Sequence, residues 1–413
     1  MTFDPTAGIR AHNFEFVGYT DQGGMPGGTQ VMVHEGHAYI GKNEGVSVID
    51  VTDPRRPHQV NFLPGDVNSW HIHLQVHGDL LLVIDSVDFY MVKPNERDYY
   101  GKSIAGVRSS MFGERGKDFA AGMRVYDISN PADPRRIGHL DVEGCGLHRI
   151  WYDGGRYAYA SALLDGYTDH ILLIVDMADP ARPVEAGRWW LPGMWYDGGE
   201  EPSWQKGRVA LHHAVVAEGI AYGAWRDGGL TILDVHDPSR PELLVHRNWS
   251  PPFGGGTHSC LPLLDRDLLV VADEAVLDNC ADQVKYTWVF DIRDKTNPIS
   301  IATLPTPREE DYCSKPGHFG PHNLHENRQG TFQSSSLIYA TYQNAGLRLF
   351  DIGDPFRPEE LGYFVPPLPE KMTERRKGRP LATHTTDVFV DREGLAYLSD
   401  YNAGMYIVRY TGG

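Results

Sequence analysis

The amino-acid sequence predicts an all-β fold, a seven-bladed β-propeller formed as a single domain over residues 1–413. Three observations support this prediction: a strand-and-turn pattern recurs along the chain, its copies lie a blade's length apart, and an N-terminal segment supplies the strand that the last copy lacks. A chain of this length exceeds the usual size of one domain, but large all-β domains are a known exception. The 45 glycines and 28 prolines suit many short strands joined by turns.

The recurring pattern is an apolar strand that ends in Asp, followed by Asp-Pro or Asn-Pro and often by a second proline. Successive copies lie 49 to 60 residues apart, except for 77 residues between the first two, which is the size of a four-stranded blade. Since proline presets φ and aspartate bonds the backbone ahead, we interpret the strand-ending aspartates as turn residues. These six aspartates are Asp50, Asp127, Asp176, Asp234, Asp291 and Asp351.

The two ends of the sequence complement each other. A seventh copy, MYIVRY from Met405, has neither the turn nor the fourth strand of the other copies. The segment FEFVGY from Phe14 resembles those fourth strands. We therefore predict that the N-terminal strand closes the last blade, which leaves no long exposed edge.

The repeats also resemble a known family. Residues 173–176 read LIVD, and related tetrapeptides recur along nearly the whole chain. The sequence is therefore similar to the LVIVD-repeat β-propellers. This resemblance implies the fold and no activity, because propellers serve as enzymes, scaffolds and adhesion modules alike.

Histidines stand at the starts of the predicted inner strands, which line the channel of a propeller. His73, His148 and His213 share an aligned position with Gln30, whereas the histidines of the last three blades lie three residues earlier. Side chains alternate between faces with period two, so this shift requires a bulge or a loop position. The candidate metal ligands are His71, His73, His148, His212, His213, His258, His322 and His384.

Several neutral imidazoles that converge on one point form a site for a transition metal ion. Imidazole suits iron, copper, zinc and nickel, and we favour iron or copper, with zinc or manganese as alternatives. Carboxylates beside a metal can ligate it, orient a ligating imidazole or act as a general base. The preferred candidates lie at the ends of predicted second strands: Asp85, Glu274 and Asp400. Cys260, two residues after His258, is a further but weaker candidate ligand.

Long connections are predicted on the same face as the histidines. Residues 86–121 form a lid-like insertion between the second and third strands of blade two. Loops of such length in a compact domain are usually lids or binding loops, so we expect this one to shape a substrate pocket. Its candidate apolar walls are Tyr90, Tyr99, Tyr100 and Phe112.

Composition excludes several classes of partner. A formal net charge of −17 argues against nucleic acid and anionic membranes, which bind lysine and arginine. The first ten residues show no leader pattern, and no apolar run approaches a membrane span, so we expect a cytoplasmic protein. The four cysteines are too sparse for a disulfide framework, and we expect reduced thiols.

These observations predict a cytoplasmic, metal-dependent enzyme that acts on a small organic molecule, most simply an oxidoreductase or oxygenase. Its layout, though not its motifs, resembles the carotenoid-cleaving oxygenases and the selenium-binding-type thiol oxidases. One alternative is a metal-dependent hydrolase or lyase, in which the metal activates water. Another is a non-catalytic interaction module, for which the repeats alone suffice. The oligomeric state stays open.

Overall fold

In a computed structural model, residues 4–89, 119–205, 207–373 and 379–412 are described, and nearly all their regular structure is β-strand. Their strands pair antiparallel into five sheets, three with four strands, one with eight and one with nine. In chain order these sheets hold seven groups of strands, called blades here, because each of the two larger sheets contains two such groups. The chain divides into two compact units. The first unit comprises Met1–Ile40, Ser47–Phe62 and His258–Gly413, and the second comprises Gly41–Val46 and Leu63–Thr257.

The N-terminal strands pair with late strands of the same unit. Strand β1 (Arg10–His12) pairs with Glu359–Val365, and β2 (Phe14–Thr20) pairs with Gly404–Tyr410. The second pairing confirms that the N-terminal segment completes the last blade. The next blade follows in chain order and consists of β3 (Val31–His34), β4 (His37–Gly41), β5 (Gly45–Asp50) and β6 (His58–Pro64).

The second unit holds the next three blades. Their first strands are irregular, with register shifts in the second and third of these blades. The first of the three consists of β7 (Ser69–Trp70), β8 (Leu74–His77), β9 (Leu80–Val87), β10 (Gly122–Asp127) and β11 (Arg135–Asp141). The second consists of β12 (Gly144–Trp151), β13 (Tyr157–Leu164), β14 (Ile171–Asp176) and β15 (Val184–Trp189). The third consists of β16 (Val209–Ala217), β17 (Ile220–Arg226), β18 (Leu230–Asp234) and β19 (Glu242–Arg247).

The first unit holds the remaining three blades. One consists of β20 (Thr257–Leu263), β21 (Leu268–Asp273), β22 (Thr287–Asp291) and β23 (Ile299–Thr303). The next has β24 (Leu337–Thr341), β25 (Leu347–Asp351), β26 (Glu359–Val365) and the added β1, while residues 322–325 bond along β24. The last has β27 (Thr385–Val390), β28 (Leu395–Asp400), β29 (Gly404–Tyr410) and β2. In the part of the chain that the structure describes, three short 3-10 helices lie in connections: Tyr196–Gly198, Leu264–Arg266 and Tyr312–Ser314.

The six repeat aspartates are turn residues, as the sequence predicted. In every copy, one carboxylate oxygen of the aspartate accepts a hydrogen bond from the backbone N–H two residues ahead, at 2.6 to 3.0 Å. The strand before each aspartate is buried, and the aspartate itself is half-buried at the strand end. The aspartates therefore stabilise the turn that leads to each fourth strand.

Glycine in a fourth strand lets the next turn pack closely. A Cβ atom on Gly187 in β15 would lie 2.0 Å from the carbonyl oxygen of Pro238, which belongs to the following proline turn. No side chain fits there. The same kind of approach joins Gly138 in β11 to Pro180, so the repeated turn also serves as a packing surface within the second unit.

The prediction of four reduced thiols is wrong for one pair. Cys280 and Cys313 form a disulfide with a Cα–Cα distance of 5.3 Å, whereas Cys145 and Cys260 are free and buried. The paired residues stand 33 positions apart, and only the folding of two loops brings them together. The cytoplasmic location stays a prediction.

Two further expectations concern membranes and the lid. Among the described residues, no helix has the length and apolar character needed to span a bilayer. The predicted insertion over 86–121 falls between β9 and β10, and its first two residues belong to β9, which ends at Val87. Residues 90–118, with the proposed pocket walls Tyr90, Tyr99, Tyr100 and Phe112, lie outside the described part of the chain.

Candidate metal centres

Two groups of buried side chains have the composition and spacing of metal sites within the described residues. In each group the candidate ligand atoms all lie within 4.8 Å of one another. The histidine trio, in the second unit, consists of His73, His148 and His212. The mixed group, in the first unit, consists of His258, Glu274 and His322.

Three different blades supply the histidine trio, each from its first strand. His73 immediately precedes β8, and its carbonyl oxygen accepts a hydrogen bond from the N–H of Ile84 in β9 at 3.1 Å. His148 lies in β12 where the pairing register shifts, and His212 lies in β16 within a similar shift. A register shift re-aims side chains that strict alternation would turn away. The irregular first strands therefore bring the three imidazoles together.

The imidazoles of the trio pack ring against ring. The ring centroids of His148 and His212 are 4.8 Å apart, those of His73 and His148 are 4.9 Å apart, and those of His73 and His212 are 6.1 Å apart. Arg149, itself buried, donates from Nη1 to Nδ1 of His73 at 3.0 Å. Nδ1 of His73 is thus an acceptor, which places the proton of the neutral ring on Nε2.

A second layer of polar groups lies beside the trio. The His170 ring is 5.6 Å from that of His148, and its Nδ1 is 2.7 Å from Oδ1 of Asp169. Arg208 donates two hydrogen bonds to the same carboxylate. Burial alone would raise the pKa of Asp169, but Arg208 and His170 hold that pKa well below its ordinary value. Sequence reasoning missed His170 because it precedes a third strand, β14, rather than a first strand.

Aromatic side chains form an apolar wall next to the trio. The Trp70 ring lies 5.9 Å from that of His148, and the Phe89 ring lies 5.4 Å from that of Trp70. Both aromatic residues are buried. Such a combination of apolar surface with a few converging polar groups is typical of small-molecule sites.

The mixed group is arranged around one carboxylate. Glu274 directly follows β21, and its two carboxylate oxygens lie 3.5 Å from Nε2 of His258 and 3.3 Å from Nε2 of His322. The two histidine rings are 4.4 Å apart. His258 lies in β20, and His322 lies in the segment that bonds along β24. Sequence analysis named all three residues and gave Glu274 first as a catalytic carboxylate.

The other ring nitrogen of each histidine in the mixed group contacts an oxygen. Nδ1 of His322 lies 2.5 Å from the carbonyl oxygen of Thr386. Nδ1 of His258 lies 2.8 Å from the hydroxyl of Ser259, which in turn donates to the carbonyl of His322 at 3.2 Å. Contacts of this kind fix the orientation and the tautomer of metal-binding histidines.

His71 and Asp85 belong to an ion-pair network instead of either group. Nδ1 of His71 is 2.7 Å from Asp85, whose other carboxylate oxygen accepts from Arg124 at 2.9 Å and contacts His139 at 3.0 Å. Burial alone would raise the pKa of Asp85, but hydrogen bonds from His139 and His71 and the charge of Arg124 hold it well below its ordinary value. The Asp85 carboxylate is thus engaged by one arginine and two histidines.

His213 and His384 also lie outside both groups. His213 directly follows His212 in β16, and its ring is 6.3 Å from that of Trp151. The sequence alignment favoured His213 over His212 because it assumed unbroken alternation, which the register shift in β16 removes. The His384 ring instead lies 5.1 Å from that of His318.

Asp400 completes a turn rather than a metal group. Its carboxylate accepts hydrogen bonds from the backbone N–H groups of His384, Asn402 and Ala403 at 2.8 to 3.0 Å. Burial raises its pKa to about 6 despite these donors. Both carboxylate oxygens are therefore engaged by the loop between β28 and β29 and by the entry to β27.

Comparison with known proteins addresses the repeats and the fold. The model of the LVIVD repeat matches residues 27–61, 118–142, 155–189 and 213–246. No curated protein matches the sequence.

Among solved structures, the chain is similar to the β-propeller domain of Cps50 (Swd1) from Myceliophteria thermophila. The TM-score is 0.55 at 11% sequence identity, over 93% of this chain and 96% of that one. A computationally designed protein, Ika8, is also similar, with a TM-score of 0.46 at 9% identity over 92% of this chain and 96% of that one. Identities this low bear on the fold alone.

Proposed function

We propose that this chain, a β-propeller with LVIVD repeats, is a metal-dependent oxidoreductase that acts on a small organic substrate beside a copper or iron ion. His73, His148 and His212 hold the ion in this proposal. The observation that carries it is the convergence of three buried imidazoles from three blades, with ligand atoms within 4.8 Å of one another. A turn or packing role accounts for one histidine by itself. It does not explain why three histidines converge.

The donor set and its burial favour a redox-active metal. Three imidazoles suit copper and iron, which are redox-active. The metal supplies the electron transfer when bound. The chain supplies the ligands and the apolar wall of Trp70 and Phe89 against which an organic substrate packs.

Neighbouring histidines in one strand provide a matched test of the trio. Elemental analysis of untagged protein should show that His212→Ala loses about one equivalent of copper or iron, because three-coordinate binding needs its ring. His213→Ala, one residue away and equally buried, should keep the metal. If His212→Ala retains the full metal content of the unaltered protein, the trio is not the metal site.

Activity distinguishes the redox proposal from its alternatives. Oxygen uptake should be measured with a panel of small thiols, alcohols and alkenes, and the active substrate should lose turnover in His212→Ala but not in His213→Ala. Zinc in the trio with no oxygen uptake would instead favour a hydrolase or lyase. A protein without metal and without turnover would favour the interaction module.

A further inference from the structure

We propose that His170 binds the hydroxyl group of an alcohol or phenol substrate beside the histidine trio. The inference rests on the proposed function, because it names the class of molecule that meets the metal ion there. Its basis is one ring nitrogen of His170 that is buried, carries a lone pair and has no hydrogen-bond partner among the residues that the structure describes.

The Asp169 carboxylate determines which nitrogen of His170 carries the proton. Arg208 donates to both oxygens of this carboxylate, from Nε at 2.8 Å and from Nη2 at 3.0 Å, which favours the ionised form that only accepts hydrogen bonds. The 2.7 Å contact between its Oδ1 and Nδ1 of His170 therefore requires a proton on Nδ1. Nη2 of Arg208 also lies 3.3 Å from Nδ1, but a donation there would leave Nδ1 and Oδ1 as two facing acceptors.

The other nitrogen of His170, Nε2, then carries the lone pair of the neutral ring. Burial lowers the pKa of this ring, so Nε2 takes up no proton at neutral pH. Within the described part of the chain, no donor reaches Nε2. Buried acceptors of this kind are rare, because a hydrogen bond left unmade costs free energy. A donor group on a bound molecule satisfies this acceptor.

Apolar side chains and the trio both adjoin His170. Its ring lies 5.6 Å from the ring of His148, a member of the trio, and 6.1 Å from the ring of Phe89. Phe89 in turn packs against Trp70 in the apolar wall of the site. A ligand beside the trio therefore meets an apolar surface and a hydrogen-bond acceptor together.

This combination favours a hydroxyl group on an apolar body. A hydroxyl donates one strong hydrogen bond, whereas a thiol is a weak donor and an alkene has no donor. An ammonium group also donates, but here it would lose its hydration close to the positive charge of Arg208. Of small thiols, alcohols and alkenes, alcohols and phenols therefore fit this site best.

Phenol and toluene are matched probes of the acceptor, because they differ only in a hydroxyl and a methyl group. Titration calorimetry on the chelator-treated full chain measures the affinity of each. His170→Phe, which keeps a ring and removes the acceptor, should lower the ratio of phenol affinity to toluene affinity by about 10-fold to 100-fold. His213→Ala, a change at a buried histidine outside the trio, should leave this ratio unchanged.

Nitrogen-15 NMR of the unaltered protein, labelled in its histidines, is a second measurement that does not require a variant to fold. Phenol should move the Nε2 signal of His170 upfield, because a donor then bonds to that lone pair, and toluene should not. His170→Phe should also keep the metal content of the unaltered protein, since His170 lies outside the trio.

Several results would overturn the contact between His170 and the hydroxyl. They are no binding of phenol, an unchanged affinity ratio in His170→Phe, a proton on Nε2 in the free protein, or loss of metal from His170→Phe, which would make His170 a ligand. Chelator-treated protein reports this contact without a metal ion. Absence of metal and turnover therefore refutes the trio alone, whereas metal and oxygen uptake with an unchanged ratio refutes the His170 contact alone.

Discussion

The two candidate metal centres use the same side chain in opposite ways. In the mixed group of the first unit, both histidines direct Nδ1 at oxygen atoms, from Thr386 and Ser259, so that their Nε2 atoms face the carboxylate of Glu274. In the histidine trio of the second unit, Arg149 donates a hydrogen bond to Nδ1 of His73. One nitrogen of His73 is therefore occupied and the other carries the proton. The contacts behind a histidine, as much as the histidine itself, decide whether it is ready to bind a metal.

This difference implies different energetics of metal binding. In the mixed group, the carbonyl of Thr386 already holds the proton of His322 on Nδ1, so Nε2 of that ring ligates without a change of tautomer. In the trio, all three rings ligate only after His73 gives up the Arg149 contact, because Nε2 of its neutral ring carries the proton while Arg149 donates to Nδ1. We therefore expect the Arg149 contact to weaken metal binding by the trio.

His325 is a buried histidine outside both metal groups and serves as the reference for a structural histidine. Its protonation has the largest of the expected effects, a loss of folding stability. The carbonyl of Phe332 and the N–H of Val390 bond to the two ring nitrogens of His325, and burial lowers the pKa of His325 from 6.5 to about 4. The unfolded chain then binds more protons than the folded one, so stability is lost as pH falls from 6.5 towards 4. The loss amounts to about 3 kcal/mol.

Denaturant unfolding between pH 4 and pH 7 measures this baseline. His325→Gln, which does not titrate, should flatten the pH dependence by that amount. An unchanged slope in the variant would mean that other groups cause the acid sensitivity. His325 would then no longer serve as the structural histidine with which the two metal centres are compared.

The Arg149 contact gives the next largest effect. Arg149→Met keeps the buried volume and removes the donor to His73, so the trio should bind its metal between about 10-fold and 100-fold more tightly. Competition with a chelator of known affinity measures the change, and Arg149→Lys, which retains a cationic donor, is the control. Weaker binding in Arg149→Met would show that the arginine positions His73 for the metal and that the contrast between the centres is wrong.

The Ser259 contact should have a smaller effect of the opposite sign. Ser259→Ala removes the acceptor for Nδ1 of His258, and the mixed group should bind Co²⁺ about tenfold more weakly. Ser259→Thr keeps the hydroxyl and should bind nearly as the unaltered protein does. If alanine and threonine behave alike, the hydroxyl does not fix the ring of His258.

The features that the sequence predicted correctly depend on local patterns. The repeats, the turn aspartates and the closing strand from Phe14 follow from alternation and turn chemistry, which act over a few residues. Membership of the metal groups was partly legible too, because His73, His148, His258 and His322 all stand at the starts of inner strands or segments.

Other features depend on geometry that no short pattern encodes. The register shift in β16 brings His212 into the trio, whereas strict alternation selects His213, which lies outside it. The carbonyl of Thr386 acts through its backbone, which any residue type would supply. Arg149 was overlooked because its role is to contact a ligand of another blade, and Cys280 meets Cys313 only after two loops have folded.

The disulfide shortens the length of chain that separates two residues of the mixed group. Cys280 stands six positions after Glu274, and Cys313 stands nine positions before His322, so the crosslink shortens the covalent path between these two ligands to a small loop. A shorter loop loses less entropy when its ends meet. In the oxidised but unfolded chain, Glu274 and His322 therefore experience a higher effective concentration of each other than the linear sequence allows. Oxidation thereby turns this stretch of chain into a better chelator before its strands have assembled.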